Sequence, residues 1–168
     1  MKRYGKLFAL ILALMMLFAL LPAWAESAPE VGDPAPAFDL TQIDGEVFHL
    51  SDHLGKVVFL NVWATWCPPC VAEIPDIQKL SEAHPDDLVV IGASVDQNVD
   101  DVKKFVEENK LTYPIAMDEG FNLITNLYPS QYIPMSVFIT PDGVVTYMDA
   151  TALPYETMEA LYQEALAE

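Results

Sequence analysis

From Val57 to Trp63 the chain reads Val-Val-Phe-Leu-Asn-Val-Trp, apolar at every position but Asn61. A nearly unbroken run of strand-forming residues predicts a central strand buried on both faces. From Pro68 to His84 the period changes: Ile74, Ile77 and Leu80 fall on one side of a helix, with Pro75 inside it as an expected kink. Leu88 to Val95 predicts a second buried strand. Asp100 to Asn109 predicts a helix presenting Val102, Phe105 and Val106, followed by a short strand at Pro114–Met117 and a short helix at Asn122–Tyr128. Met135–Thr140 and Val144–Met148 flank Pro141-Asp142-Gly143, a hairpin signal. An earlier hairpin is predicted from Phe38-Asp39-Leu40 and Val47–Leu50 around Ile43-Asp44-Gly45. Pro154–Ala167 closes the pattern as an amphipathic helix with Met158, Leu161 and Leu166 inward. The alternation predicts an α/β fold in which a central mixed sheet is sandwiched by helices, as one domain over residues 37–168.

The first 36 residues follow other rules. Lys2, Arg3 and Lys6 precede an uncharged apolar run from Leu7 to Leu21, then Pro22 and the small-residue pattern Ala23-Trp24-Ala25. That order is the signature of a secretory signal cut after Ala25, residues 1–25. The apolar run is short for a bilayer span, and the other reading is an uncleaved membrane anchor. Either reading predicts that the remainder works outside the cytoplasm. Residues 26–36, with Pro29, Pro34 and Pro36, read as an extended leader.

Removing residues 1–25 sharpens the charge. Three of the eight basic residues go and all 25 acidic ones stay, so 5 − 25 = −20, with no arginine left. Phosphate neutralisation needs basic patches, so nucleic-acid binding is excluded as a function class. The carboxylates read first as a solvated surface; steering toward a basic partner is the sharper alternative.

The chain has two cysteines, Cys67 and Cys70, two residues apart in Trp66-Cys67-Pro68-Pro69-Cys70. A bridge closing so small a loop removes little chain entropy and makes a poor staple, so chemistry is the better reading. The pair falls where a buried strand gives way to a helix. Unpaired N–H groups and partial positive charge at such a helix start stabilise a thiolate. Cys67 is expected at the exposed end as the attacking thiol and Cys70 one turn inward as the resolving thiol. Pro68 and Pro69 stiffen the turn between them. Zinc would require further ligands, and His49, His53 and His84 offer no second cysteine pair to complete a set. No cofactor is expected.

Three further positions are candidates. Glu73 lies one helical turn past Cys70 and could serve as its general base, or simply face solvent. Pro134, after Gln131-Tyr132-Ile133, opens a predicted strand and is either a cis proline or an ordinary edge residue. Trp66 adjoins Cys67 and could line a contact surface, whereas Trp63 reads as core.

The segment Val62-Trp63-Ala64-Thr65-Trp66-Cys67-Pro68-Pro69-Cys70 closely resembles the active site of the thioredoxin superfamily, and within it the exported TlpA/ResA-like thiol–disulfide oxidoreductases. The similarity extends through Val31–Phe38, Ile43-Asp44-Gly45, Leu54-Gly55-Lys56, Asp118-Glu119-Gly120, Pro134, Phe138-Ile139 and Asp142-Gly143. It implies a thioredoxin-like fold with an N-terminal hairpin and a central strand–helix insertion. It also implies that Cys67 is the nucleophile and Cys70 the resolving thiol, that Glu73 is the branch's active-site glutamate, and that Pro134 is its cis-proline. Ile133 is then the residue whose backbone pairs with substrate, beside Trp66, Pro68 and Pro69. Asn61 stands where cytoplasmic thioredoxins carry an aspartate. Tyr132 and Met135-Ser136 depart from the glycine and Thr-Thr common in the family beside the substrate groove.

The expected function is reduction of disulfides in exported proteins, for example in cytochrome c maturation. The expected partners are a disulfide-containing substrate protein and a membrane electron donor, and the expected state is a monomer. A thiol oxidant uses the same residues, since direction depends on reduction potential. A peroxidase-like redoxin and a non-catalytic binding or chaperone module are the remaining alternatives.

Overall fold

The structure, a computed structural model, describes residues 28–168; the signal-like segment 1–25 lies outside the described residues. Two short strands, β1 (Asp39–Thr41) and β2 (Val47–His49), pair antiparallel as the first hairpin, and a 3₁₀ turn follows at Leu50–His53. The main sheet has five strands in the order β5-β4-β3-β6-β7. They are β3 (Val57–Trp63), β4 (Leu88–Ser94), β5 (Ile115–Met117), β6 (Met135–Ile139) and β7 (Val145–Asp149). β3, β4 and β5 are parallel; β6 and β7 are antiparallel, which makes the sheet mixed. Helices α1 (Pro68–Ala83), α2 (Val99–Asn109) and α3 (Tyr155–Ala167) complete the domain.

All seven residues of β3 are buried, as an unbroken apolar run requires of a central strand. Two successive right-handed crossovers in one direction, β3–α1–β4 and β4–α2–β5, put α1 and α2 on the same face of the sheet. Alternation along β3 agrees with this. Asn61 meets Glu73 of α1, and Trp63, two residues on, packs its ring 5.2 Å from that of Phe105 in α2. α3 joins α1 on this face. His84, just past α1, donates its Nε2–H to the Glu159 carboxylate of α3, with the two oxygens at 2.9 and 3.0 Å, and packs on Tyr162. Across β3 and β6, Phe59 and Phe138 stack at 4.3 Å in exact register, a cross-strand pair of the kind that pins strand alignment. Gly92 in β4 sits in a crowded spot: a Cβ there would lie 2.7 Å from Ile115 Cδ1 and 3.1 Å from Trp63 Nε1, so those side chains would have to shift.

Several expectations need correction. Leu166 was assigned to the inner face of the last helix, but it is exposed; Met158, Tyr162 and Ala165 fill that face instead. The segment after Phe121 is not an ordinary helix but a π turn, Leu123–Leu127. The two carboxylate oxygens of Asp118 accept the N–H groups of Asn122 and Leu123 at its start. Pro75 lies inside α1, as expected, and the helix continues on both sides of it. The leader lies along the outer hairpin: Gly32 donates to the Val145 carbonyl, Val145 to Asp33, and Ala35 to Gly143, all within 2.9 Å. Among the described residues no helix is long and apolar enough to cross a membrane.

Candidate active site

Parallel strands β3, β4 and β5 end at one edge of the sheet, and antiparallel β6 begins there, with Val62 opposite Met135. The carboxyl edge of parallel strands is where open α/β sheets place their chemistry. The loop from Ala64 to Cys67 leaves this edge and turns into α1. Asp96, just beyond β4, holds that loop. Its carboxylate accepts the Thr65 N–H (2.9 Å), the Thr65 hydroxyl (2.6 Å) and the Ser94 hydroxyl (2.7 Å).

Cys67 is the N-cap residue of α1, with Pro68 and Pro69 in the first turn. Its sulfur accepts the backbone N–H of Cys70 at 3.3 Å. Sulfur thus takes the place that an Asn or Ser oxygen fills at most helix starts. Cys67 and Cys70 form a disulfide, their Cα atoms 5.3 Å apart. The expectation that Cys67 is the exposed member holds only as a sliver: it shows 4% of its surface and Cys70 none. The open side chain is that of its neighbour Trp66.

Glu73 is buried on the core side of α1, so the solvent-facing alternative is ruled out. Cys70, Glu73, Ile74, Ile77 and Leu80 form one buried stripe. Glu73 Oε1 accepts the Asn61 amide N–H at 2.8 Å, and Oε2 accepts the backbone N–H of Leu153 at 2.8 Å. Burial pushes its carboxyl up to about 7, against the two hydrogen bonds, which pull the other way. A carboxyl that titrates near neutrality, one helical turn from a cysteine, can take up and return a proton at physiological pH. Asn61 also donates to Ser136 Oγ at 3.4 Å, while its own Oδ1 is buried without a partner.

The Ile133–Pro134 peptide bond is cis. The carbonyl oxygen of Ile133 lies 3.8 Å from Cys67 Sγ, so the loop before β6 stands directly beside the disulfide. The structure therefore brings Cys67, Cys70, Pro68, Pro69, Trp66, Ile133 and Pro134 to one place, with Glu73 behind them. His49 and His53 lie elsewhere: His49 pairs with Asp39 at 2.7 Å, and His53 stacks on Phe48. Sequence reasoning missed Asp96 and the Leu153 amide. An aspartate directly after a buried strand at the reactive edge was a usable signal for the first. A backbone group 80 residues from its partner gives none.

Comparison with known proteins agrees with this geometry. The sequence model of the AhpC/TSA family matches residues 31–148. The thiol-disulfide oxidoreductase ResA of Oceanobacillus iheyensis is 38% identical over 134 residues, spanning 77% of this chain and 69% of that protein. Among solved structures, a thioredoxin-family thiol:disulfide interchange protein from Chlorobium tepidum superposes with a TM-score of 0.73 at 25% identity, covering 82% of this chain and 99% of that one. StoA from Bacillus subtilis gives 0.65 at 29% identity, covering 77% and 98%. With its Cys67–Cys70 disulfide capping a helix at the carboxyl edge of a thioredoxin-like sheet, the chain belongs to the AhpC/TSA family, as a thiol–disulfide oxidoreductase of ResA type.

Proposed function

We propose that the protein works outside the cytoplasm as a monomeric reductant of disulfides in exported proteins, cytochrome c maturation being one such setting. One observation carries the reading: the redox disulfide caps a helix start on its outer side and has a buried carboxyl titrating near 7 on its inner side. The reaction needs a nucleophilic thiolate and a proton acceptor, and this arrangement offers both. In the reduced protein, Cys67 thiolate attacks one sulfur of the partner's disulfide, and the partner's other sulfur leaves as a thiolate. Cys70 gives its proton to Glu73 and attacks Cys67 Sγ, breaking the mixed disulfide and expelling the second partner thiolate. The partner gains two electrons and the protein becomes the Cys67–Cys70 disulfide. A dithiol donor at the membrane then takes over that disulfide and restores the thiols. Ile133 pairs its backbone with the bound partner strand, beside Pro134, Trp66, Pro68 and Pro69.

Export is supported by the signal-like residues 1–25, and the reductive direction by the resemblance to exported reductases. Redox titration of residues 26–168 against dithiothreitol and glutathione tests the direction. A midpoint near or below about −270 mV is expected; one near about −120 mV makes the protein an oxidant and overturns the proposal.

A further inference from the structure

The reactive edge carries two large aromatic side chains that the core does not use. Trp66 is 64% exposed and Tyr132 72%. Each is the chain neighbour of one half of the contact between Cys67 and Ile133, so both stand beside the disulfide, on two different loops. Tyr132 is not on a loose loop. The Ser130 hydroxyl accepts its N–H at 3.1 Å and donates to its carbonyl at 2.8 Å, fixing the backbone on both sides of the ring. Exposed aromatic area held rigidly beside a reactive group is the mark of a contact surface.

The charges at the same edge have one sign. Asp100 and Asp101 begin α2, exposed Glu119 follows β5, and Asp149 ends β7 opposite Ser136. The five lysines of the described residues are placed otherwise. Lys56 precedes β3, and Lys79 lies in the second half of α1 over the Tyr155 ring, both toward the far end of the sheet. Lys103, Lys104 and Lys110 follow the two aspartates along α2 as it runs back from the edge, with Lys104 paired to Glu108.

We propose that Trp66 and Tyr132 form an aromatic clamp that selects extended, basic segments of the partner, seating an Arg or Lys side chain next to the target cysteine. The inference rests on the disulfide-exchange reading above and names its substrate class. A guanidinium or ammonium group is drawn to an aromatic face, and the surrounding carboxylates attract it from farther away. An acidic segment meets like charge at this edge. Tyr132 is the specificity-determining residue, since its side chain is the more exposed of the two and its backbone is fixed by Ser130.

Three disulfide-linked synthetic peptides, identical except for Arg, Leu or Glu beside the cysteine, test this with the reduced protein. Hydroxyethyl disulfide, which is small and neutral, serves as the reference substrate. The Arg peptide is expected to exceed the Glu peptide by about tenfold in kcat/KM at low salt. It should exceed the Leu peptide by about two- to fivefold, the difference residing in KM. Tyr132→Ala should abolish the Arg-over-Leu preference and Tyr132→Phe should keep it. Equal rates on the three peptides, or a preference for Leu, overturn the clamp, as does a preference that survives Tyr132→Ala. Failure to reduce any peptide and hydroxyethyl disulfide as well overturns the exchange reading beneath it.

Discussion

Two helix starts occupy equivalent places in this fold and are built in opposite ways. α1 follows β3 and α2 follows β4, and the two strands run parallel in register from Val57 opposite Leu88 to Trp63 opposite Ser94. At α2, Asn98 caps through its side-chain oxygen, accepting the Asp100 N–H at 3.0 Å, and Asp100 and Asp101 set negative charge against the helix dipole. At α1 the cap is the Cys67 sulfur, the first turn holds two prolines, and it contains no acidic residue. One start has its positive end already compensated by carboxylates. The other keeps that end available for a thiolate, whose charge gains about 0.3–1 kcal/mol there.

The largest test of that contrast is to delete the sulfurs. Cys67→Ser should lower insulin reduction by at least about a thousandfold. Cys70→Ser should halt after the first step, with the partner covalently retained, as mass spectrometry without reductant would show. An active Cys67→Ser protein breaks the comparison outright.

Next comes the inner side of α1. Glu73→Gln should lower kcat near pH 7 by about a hundredfold and remove the inflection near 7 from the pH–rate profile. The same variant has a stability signature. Folding raises the Glu73 carboxyl from 4.5 to about 7, so the native state holds the proton more tightly than the unfolded chain. Its favourable contribution is complete below about pH 4.5 and is lost as pH rises through 7, on the order of 3 kcal/mol in total. Denaturant unfolding of the oxidised protein should show this decline between about pH 4.5 and 7, and Glu73→Gln should flatten it. An unchanged slope would mean that the buried carboxyl does not titrate there.

The smallest effects come from exchanging features between the two starts. Pro69→Asp gives α1 the first-turn carboxylate of α2 and should raise the Cys67 thiol by less than about one pH unit, read by thiolate absorbance; Pro69→Asn separates charge from loss of the proline. Asn98→Ala should cost about 1 kcal/mol of folding stability and leave the Cys67 titration where it was.

The outer half of the site was readable in the sequence because its signals are local. A buried strand, two cysteines and two prolines in fourteen consecutive residues fix the strand–helix junction before any tertiary contact is considered. The inner half was readable only in part. Glu73 falls on the continuation of the Ile74–Ile77–Leu80 stripe, but spacing cannot tell a buried glutamate from an exposed one without knowing what comes to meet it. What meets it is a side chain twelve positions earlier and an N–H 80 positions later. Leu166 fails for a different reason: the buried stripe runs Met158, Tyr162, Ala165, and Leu166 stands one residue round the helix from it, so an apolar residue at a plausible spacing still falls off the inner face. The π turn at Leu123–Leu127 depends on Asp118 binding two consecutive N–H groups, which no apolar pattern encodes.

The Asp96 clasp matters most at the moment a partner is tethered. A protein joined to Cys67 by a mixed disulfide tugs on the chain as it tumbles, and the pull runs backward through Trp66 to Thr65. There it reaches two hydrogen bonds to a single carboxylate, itself anchored by Ser94, with the Val95 amide bound to the Trp63 carbonyl alongside. The chain before Cys67 is thereby tied to the end of β4 as well as to β3, which keeps the sulfur placed beside Cys70 while a partner is attached.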